Sequence, residues 1–519
     1  MFGAPSFYIS SIFSLKMRAI AFFILLCGLT ACDDKSSKIT SNSDSSRIEI
    51  KSTHSRELLL RGSYQDLVLT ASEVKSLNQM AILFDLYEGL TSYDAKGNLQ
   101  PAAAESWQSE DHKTWFIILR EGLQWSNGEP INAEDFVYSW RQLVKEESSL
   151  KSYLAFMHIE NAELVLEKKL PVENLGIEAV DERILRIQLD KPTPYLPAML
   201  AHIALLPKYP HATEKWVSNG AYQLEQWSSD KALLSKNPFY WQKDRVAFKT
   251  VEYKKITSEQ SSEVDFIWQA QKQVTDYFPQ LCSYYYEFNL AHPQLSNKAV
   301  RKALSSMISS ANLVKNNPQM TALNQLLPPS LQNASEPVWE NIVPEQLLEQ
   351  NGINENNPLA LTLTYDQKQP YQQISEQLIR IWGQLDLLRL RSEPLLYQQL
   401  LERRANKKFD IIRAGWCADY QDPTAFLNQF HSKNVDNKIS YQNPEFDQLL
   451  EQALQEQDPK QRQMIYAKLE QILQQDYVII PIFQYQTPVF VNSTLAGFHQ
   501  KNASDVVYSK DLYRKVKTD

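Results

Sequence analysis

The sequence is poor in glycine, with 13 glycines in 519 residues. Nucleotide-binding loops need glycine where the backbone approaches a phosphate. The chain contains no G-x-x-x-x-G-K-[ST] loop, no G-x-S-x-G elbow and no H-E-x-x-H pair. Its eight histidines lie too far apart in sequence to share one turn of a helix. We therefore expect no metal, no cofactor and no enzyme activity. A catalytic site assembled from distant segments stays an open alternative.

An excess of positive charge is also missing. Lysine and arginine number 53 against 61 acidic residues, which gives a net charge of −8 and an isoelectric point of about 5.7. A protein that follows a phosphate backbone needs a concentrated basic surface, whereas the basic residues here are scattered among acids. These properties exclude a nucleic-acid partner. A composition of 43% hydrophobic and 22% charged residues is typical of a globular protein.

Apolar runs are short, and the most informative one, AIAFFILLCGL, lies near the N-terminus after a basic start. It is too short for a stable membrane span, so we expect residues 1–31 to be a secretory signal peptide, with Met17 as an alternative start. The LTAC that ends it resembles a bacterial lipobox, in which Cys32 is lipidated; an ordinary signal peptide is the alternative. Asp33 resembles an inner-membrane retention signal. We expect a periplasmic protein of a Gram-negative cell, anchored to the inner membrane through a flexible, serine-rich tether over residues 32–55 with a reach of about 25 Å.

Cysteine is scarce, and the four cysteines divide by position. Cys27 lies in the predicted signal peptide and Cys32 in the lipobox, which leaves Cys282 and Cys417. A disulfide is the default for an isolated pair in an oxidising compartment, and the chain-entropy model gives it about 5 kcal/mol at most. The alternative is a nucleophilic Cys417, which has no histidine near it in sequence.

The rest of the chain alternates short strand-like runs with amphipathic helices. A helix is predicted over Ser76–Leu90, and further helices are predicted to begin at Asn132, Asn443 and Asp458, with proline after the last two. Strands are predicted at WFIIL, at YYYEFNL and at YVIIPIF, the last with a proline near its end. The pattern predicts a mixed α/β protein without internal repeats.

Four segments together resemble the periplasmic oligopeptide-binding proteins, which are ABC-importer receptors of solute-binding protein family 5. They are AAAESWQSEDHKTWFIILREGLQWSNGEPINAEDFVYSWRQL, VSNGAYQLEQW, CSYYYEFN and RAGWCADYQDPTAFLN. The resemblance runs from about residue 75 to the C-terminus. It implies a periplasmic binding protein-like α/β fold with two lobes joined by a hinge and one extra domain. The implied units are lobe I (56–87, 206–281 and 489–519), lobe II, the extra domain (88–205), and lobe III (282–488). The family's disulfide also lies in lobe III.

The resemblance also implies a binding site for what all peptides share. Asp419 matches the family's aspartate for the peptide α-ammonium; a turn aspartate that caps local amides is the alternative. Gly415, Trp416 and Cys417 match the strand that offers backbone hydrogen bonds to an extended peptide. Leu77, within Ser76–Asn78, matches the facing position on lobe I.

The remaining implied residues are side chains of the pocket. Arg413 matches an arginine that helps neutralise the carboxylate of shorter peptides; a surface arginine is the alternative. Glu287 and Arg404 match a charged pair that, in a murein-peptide relative, loses its acid. Tyr138, Tyr397 and Trp416 are candidate pocket walls, with ordinary core aromatics as the alternative.

The sequence departs from the family in places. The N-x-P-x-x-L-D-P element is absent, and the histidine and lysine that meet the peptide carboxylate have no clear counterparts. We expect a monomeric, lipid-anchored receptor that captures oligopeptides and delivers them to an inner-membrane permease. The alternatives are a receptor for murein peptide or for another ligand such as haem, a sensor or scaffold lipoprotein without a transport role, and an enzyme.

Overall fold

The computed structural model describes residues 57–211, 213, 215–332 and 342–515. The predicted signal peptide, Cys32, Asp33 and the whole tether segment lie outside these ranges. None of the helices within these ranges is both long enough and apolar enough to span a membrane.

The described ranges contain nineteen strands and thirteen α-helices. The strands are β1 (Leu58–Ser63), β2 (Thr91–Tyr93), β3 (Leu99–Pro101), β4 (Ala104–Gln108), β5 (Thr114–Leu119), β6 (Ile177–Ala179), β7 (Ile184–Gln188), β8 (Tyr222–Trp227), β9 (Lys231–Lys236), β10 (Thr250–Lys255), β11 (Phe266–Trp268), β12 (Asp276–Phe288), β13 (Met320–Ala322), β14 (Leu359–Asp366), β15 (Leu388–Leu395), β16 (Ile411–Cys417), β17 (Ile479–Val491), β18 (Leu495–Ala496) and β19 (Tyr513–Arg514). The helices are α1 (Leu77–Leu86), α2 (Ala133–Lys145), α3 (Ser152–Phe156), α4 (Ala162–Leu166), α5 (Leu196–Met199), α6 (Lys298–Ser306), α7 (Ser310–Val314), α8 (Pro344–Glu349), α9 (Tyr371–Trp382), α10 (Tyr397–Ala405), α11 (Thr424–Leu427), α12 (Pro444–Gln455) and α13 (Pro459–Asp476).

The four predicted helix starts are confirmed. Asn132 caps α2 with a reciprocal pair of hydrogen bonds. The Asn132 side chain accepts from the Asp135 N–H, and the Asp135 carboxylate accepts from the Asn132 N–H. Ser76, Asn443 and Asp458 cap α1, α12 and α13 through their side chains. The predicted end of the first helix at Leu90 is wrong, because α1 ends at Leu86 and Tyr87 already has an extended backbone.

One large sheet runs through most of the described chain. Its strand order is β15-β14-β16-β12-β17-β11-β1-β10-β9-β8, with β13 also paired to β17. The segment predicted as lobe III contributes one end of this sheet, and the segments predicted as lobe I contribute the other. The four-stranded sheet β4-β5-β7-β6 and the β2-β3 hairpin lie within the segment predicted as lobe II.

Strands β12 and β17 connect the two ends of the large sheet. The start of β12 pairs with the end of β17 next to β11, whereas the later part of β12 pairs with β16. The predicted lobe boundaries at 281/282 and 488/489 therefore fall inside two continuous strands. The register between the two strands shifts between Pro279 and Ser283, which marks a local irregularity where the sheet passes from one lobe to the other.

The expectation that a proline stands near the end of the last long strand is wrong, because β17 continues for ten residues beyond Pro481. A second register shift, between Tyr284 and Tyr285, lies where Tyr285 pairs with Pro481. Proline lacks an N–H and is tolerated at such irregularities, so the strand passes through it.

Candidate functional site

Strand β16 leaves one backbone edge open. It pairs with β12 along its whole length, but with β14 only at Ile411 and Ile412. Beyond Ile412, no strand of the described chain covers the side of β16 that faces away from β12. An uncovered edge is a template for one further strand.

The register shows which backbone groups face outward. In antiparallel pairs, residues alternate between exchanging hydrogen bonds with their partner and pointing away from it. Ala418 donates its N–H to the Leu281 carbonyl, and Asn289 donates to the Asp410 carbonyl. The even-numbered residues of β16 therefore face β12. Arg413, Gly415 and Cys417 direct their N–H and C=O groups to the open edge.

Cys417 lies directly opposite Cys282, and the structure joins their sulfurs at 2.10 Å with Cα atoms 4.0 Å apart. This pair does not exchange backbone hydrogen bonds, which is the geometry in which Cβ atoms approach each other across antiparallel strands. The pair lies beside the irregularity at Pro279–Ser283, so it holds the end of the open edge against the connecting strand.

Asp419 follows the open edge by two residues and is exposed to solvent. No hydrogen bond or ion pair joins its carboxylate to any other described residue. Partial enclosure by the surrounding protein raises the pKa of Asp419, since no cation lies close enough to offset the loss of water. The alternative role as a capping residue is wrong, because Asp422 caps this turn by accepting from Thr424 N at 2.9 Å and from Thr424 Oγ1 at 2.6 Å.

Arg413 is buried with 9% of its surface exposed, so the alternative of a surface arginine is wrong. Its guanidinium carbon lies 4.3 Å from the ring centroid of Tyr371 and 5.0 Å from that of Tyr284. One Nη donates to the Tyr485 hydroxyl at 3.2 Å, and the buried Nε has no partner among the described residues. The Asp366 carboxylate is 4.0 Å away. The guanidinium is thus held mainly by aromatic rings and keeps an unused donor.

Arg404 is held in the opposite way. Its Nε and Nη donate to the two oxygens of Glu287 at 2.7 Å each, which uses both carboxylate oxygens. Burial alone would lower the pKa of Arg404, but the charge of Glu287 and these hydrogen bonds outweigh it and raise the pKa. The structure therefore brings together the two residues that the sequence paired.

The other predicted residues lie on separate elements of the described chain. Leu77 is buried in the core of lobe I, and no hydrogen bond, ion pair or ring contact of the described residues joins it to β16. Trp416 packs, half-buried, against the core shared by lobes II and III. The ring of Tyr397 lies 5.8 Å from the Arg413 guanidinium. Tyr138 is half-buried on α2 and shares no hydrogen bond or ring contact with the other predicted residues.

Sequence reasoning missed the aromatic residues around the two charged groups. Tyr371 and Tyr485 hold Arg413. Tyr153 lies within electrostatic reach of Asp419, and the ring of Phe156 lies 6.0 Å from that of Tyr420, the residue after Asp419. They come from three separate elements, α3, α9 and β17, so no local spacing connects them to β16. Their only sequence signal is that aromatic residues are frequent in the chain.

Comparisons with known proteins agree with this architecture. Residues 98–438 match the family described as bacterial extracellular solute-binding proteins, family 5 Middle. A protein of Haemophilus influenzae, named as a candidate binding protein, is 47% identical over 514 residues, which cover 98% of this chain and 100% of that protein. The periplasmic oligopeptide-binding protein OppA of Salmonella typhimurium is 32% identical over 489 residues, which cover 86% of this chain and 90% of that protein.

Solved structures of other binding proteins share this fold. The periplasmic murein tripeptide binding protein MppA in its unliganded open form has a TM-score of 0.83 at 27% identity, covering 89% of this chain and 98% of that chain. Haemophilus influenzae OppA in complex with the peptide RPPGFSPFR has a TM-score of 0.59 at 27% identity, covering 89% of this chain and 99% of that chain. At equal identity, the chain is more similar to the open form than to the peptide complex.

Proposed function

The chain belongs to the bacterial extracellular solute-binding proteins of family 5, and we propose that it captures oligopeptides in the cleft between its lobes for an ABC importer. The single observation that carries this proposal is the open edge of β16 beside the unpaired carboxylate of Asp419. An extended peptide supplies the complement of both, since its backbone is a strand and its α-ammonium is a cation.

The backbone edge explains how such a receptor ignores side-chain identity. Gly415 and Cys417 direct both a donor and an acceptor outward, and every peptide carries the matching pair at alternate residues. Hydrogen bonds of this kind contribute affinity without reading the ligand's sequence. Gly415 is exposed and has no side chain, which lets a ligand backbone approach closely.

Arg413 is the second anchor in this proposal. Its closest carboxylate is 4.0 Å away, and its buried Nε–H is unused among the described residues, so an incoming carboxylate gains a charge-assisted hydrogen bond there. Asp419 and Arg413 lie at opposite ends of the open edge. That separation fits the two charged termini of a short extended peptide.

Closure of the lobes would complete the site. The structure is similar to an unliganded open form, and β12 and β17 are the strands that connect lobe I with lobe III. The register irregularity between Pro279 and Ser283 is the natural place for a hinge. Closing about it would bring the start of α1, with Leu77, toward the ligand on β16.

Murein peptide is the second candidate ligand, supported by the similarity to MppA. The Glu287–Arg404 pair argues against murein peptide. Arg404 already donates to both oxygens of Glu287, so it is not available for an extra carboxylate of the ligand. We therefore favour general oligopeptides. We further propose that the protein works in the periplasm as a monomer, anchored through lipid on Cys32, and delivers its ligand to an inner-membrane permease.

The test begins with native mass spectrometry of the freshly purified protein, to identify what it carries. Calorimetry with alanine tripeptide then compares the wild type with Asp419→Ala, for which we expect a loss of affinity of about 30-fold or more. Asp386→Ala, an exposed acid elsewhere in lobe III, is the matched control and should bind normally. Unchanged affinity in Asp419→Ala, or cleavage of the peptide during incubation, would refute the proposal.

A further inference from the structure

The register irregularity between β12 and β17 is a β-bulge. After Pro279 the pairing of the two strands resumes only at Ser283, so residues 280–282 of β12 stand opposite the single residue Tyr485 of β17. Extra residues in one strand interrupt the backbone hydrogen bonds between the pair. Buried backbone groups at such a place need other partners, because an unpaired group away from water is unfavourable.

Two side-chain amides bridge this bulge. Gln484 Nε2 donates to the Gln280 carbonyl at 2.8 Å, and Gln280 Nε2 donates to Thr487 Oγ1 at 2.7 Å. Gln484 and Thr487 are buried, with 2% and 1% of their surface exposed. Side chains therefore supply cross-strand hydrogen bonds where the backbone pairing is interrupted. We call Gln280, Gln484 and Thr487 the glutamine bridge.

The glutamine bridge joins a segment predicted as lobe I to the segment predicted as lobe III. Gln280 precedes the predicted boundary in β12, whereas Gln484 and Thr487 precede the predicted boundary in β17. Backbone pairing continues on both sides of the bulge, so a rotation of the lobes would be concentrated at the bulge. The two side-chain bonds depend on that rotation, because hydrogen bonds weaken steeply when their atoms move out of line.

The bulge also borders the proposed ligand site. Tyr485, which stands opposite the bulge, accepts a hydrogen bond from Arg413 at 3.2 Å. The structure is similar to an unliganded open form, and both bonds of the glutamine bridge are formed in it. These bonds therefore stabilise the arrangement of the lobes that precedes ligand capture.

We propose that the glutamine bridge favours the open arrangement of the lobes and that Gln484 is its central positioning residue. The inference rests on the proposed function, because it takes ligand capture to require closure about this bulge. When only a fraction of the molecules is closed, the measured affinity is lower than that of the closed site by that fraction. Weakening the bridge should raise the closed fraction and so tighten peptide binding, although no residue of the bridge is assigned a contact with the ligand.

Calorimetry on the full chain compares the wild type with Gln484→Met and Thr487→Val, which keep the approximate size of the side chain and remove one bond each. We expect each variant to bind alanine tripeptide roughly three- to fivefold more tightly. Alanine tetrapeptide should gain by the same factor, because a shift between open and closed lobes does not depend on the ligand. X-ray scattering of the unliganded double variant should give a smaller radius of gyration than that of the unliganded wild type.

Gln486→Met is the matched control. Gln486 lies on the same strand, and its Nε2 donates to Thr321 Oγ1 at 2.9 Å within the segment predicted as lobe III. The control should leave the affinities and the radius of gyration unchanged. Thr487→Val is the milder change and decides the question alone if Gln484→Met does not fold.

Unchanged or weaker tripeptide binding in the folded bridge variants, or an unliganded radius of gyration equal to that of the wild type, would overturn the role of the glutamine bridge and leave the proposed function intact. Failure of the wild type to bind either peptide would instead count against the proposed function. The scattering of the unliganded proteins would still test the bridge in that case.

Discussion

Arg404 and Glu287 face each other with two hydrogen bonds of 2.7 Å, whereas Arg413, nine residues along the chain, has its nearest carboxylate at 4.0 Å. Both guanidinium groups are largely enclosed by lobe III. One is neutralised by the protein and the other is left with an unused donor. This difference supports a structural role for the first and agrees with the ligand-binding role proposed for the second.

Glu287→Gln should destabilise the protein by about 3 kcal/mol, because it leaves the buried Arg404 without its counter-charge. Urea unfolding of the two proteins measures the difference. Glu393→Gln is the matched control, since Glu393 pairs with the more exposed Arg403, whose side chain is 42% exposed. Glu393→Gln should lower the free energy of unfolding by no more than about 1 kcal/mol. Equal losses in the two variants would contradict the assignment.

Peptide affinity should fall as the pH is lowered, and it should do so at a higher pH than an ordinary aspartate would cause. Binding of the α-ammonium needs the ionised form of Asp419, and desolvation raises the pKa of this carboxyl. Calorimetry with alanine tripeptide from neutral to mildly acidic pH measures the profile. In Asp419→Asn the remaining affinity should be low and independent of pH over the same range. A flat profile in the wild type would show that Asp419 does not hold the ligand.

Backbone N-methylation of the ligand should weaken binding without any change to the protein. Gly415 and Cys417 direct their N–H and C=O groups to the open edge of β16, so alternate ligand amides would pair with them. Tripeptides N-methylated at the second or at the third residue should differ in affinity, because only one of those amides faces β16. Equal affinity of both for the protein would speak against strand addition.

Stability should decrease as the pH rises from about 4.5 toward 8, through Glu470. This residue is fully buried, and burial raises the pKa of its carboxyl from 4.5 to about 8. Between about pH 4.5 and 8 the folded state keeps a proton on Glu470 that the unfolded state has released. The contribution of Glu470 to the free energy of unfolding is therefore fully present below pH 4.5 and is lost as the pH approaches 8. Urea unfolding across this range should show a smaller slope in Glu470→Gln. Its amide oxygen can still accept from Leu327 N, as Oε1 does at 2.8 Å.

Replacement of Cys282 and Cys417 by serine in one double variant should lower the free energy of unfolding by up to about 5 kcal/mol, because the bond closes a loop of 135 residues. Peptide affinity should fall as well, since Cys417 ends the open edge. Chemical denaturation and calorimetry measure the two effects. Wild-type protein treated with reductant should behave like the double variant. Unchanged stability in both would show that the bond contributes nothing.

Local features of the fold were predictable from the sequence. Capping residues and proline positions predicted the starts of α1, α2, α12 and α13, because these signals act over a single helical turn. The length of β17 was not predictable, because a proline such as Pro481 indicates the end of a strand. The strand continues past Pro481 because the register between β12 and β17 shifts at that position. The extent of the large sheet was also not predictable from the sequence, because β12 and β17 each cross a predicted lobe boundary.

The sequence by itself determined the family, the pairing candidates Cys282 and Cys417, and the position of Asp419 after a strand, because these features lie in contiguous segments whose chemistry is local. Only the tertiary structure decided which backbone groups of β16 stay open, which arginine has a carboxylate bound to it, and which aromatic rings surround Arg413. Those properties depend on segments far apart in the chain, and they arise only when the lobes pack and each charge meets, or fails to meet, its partner.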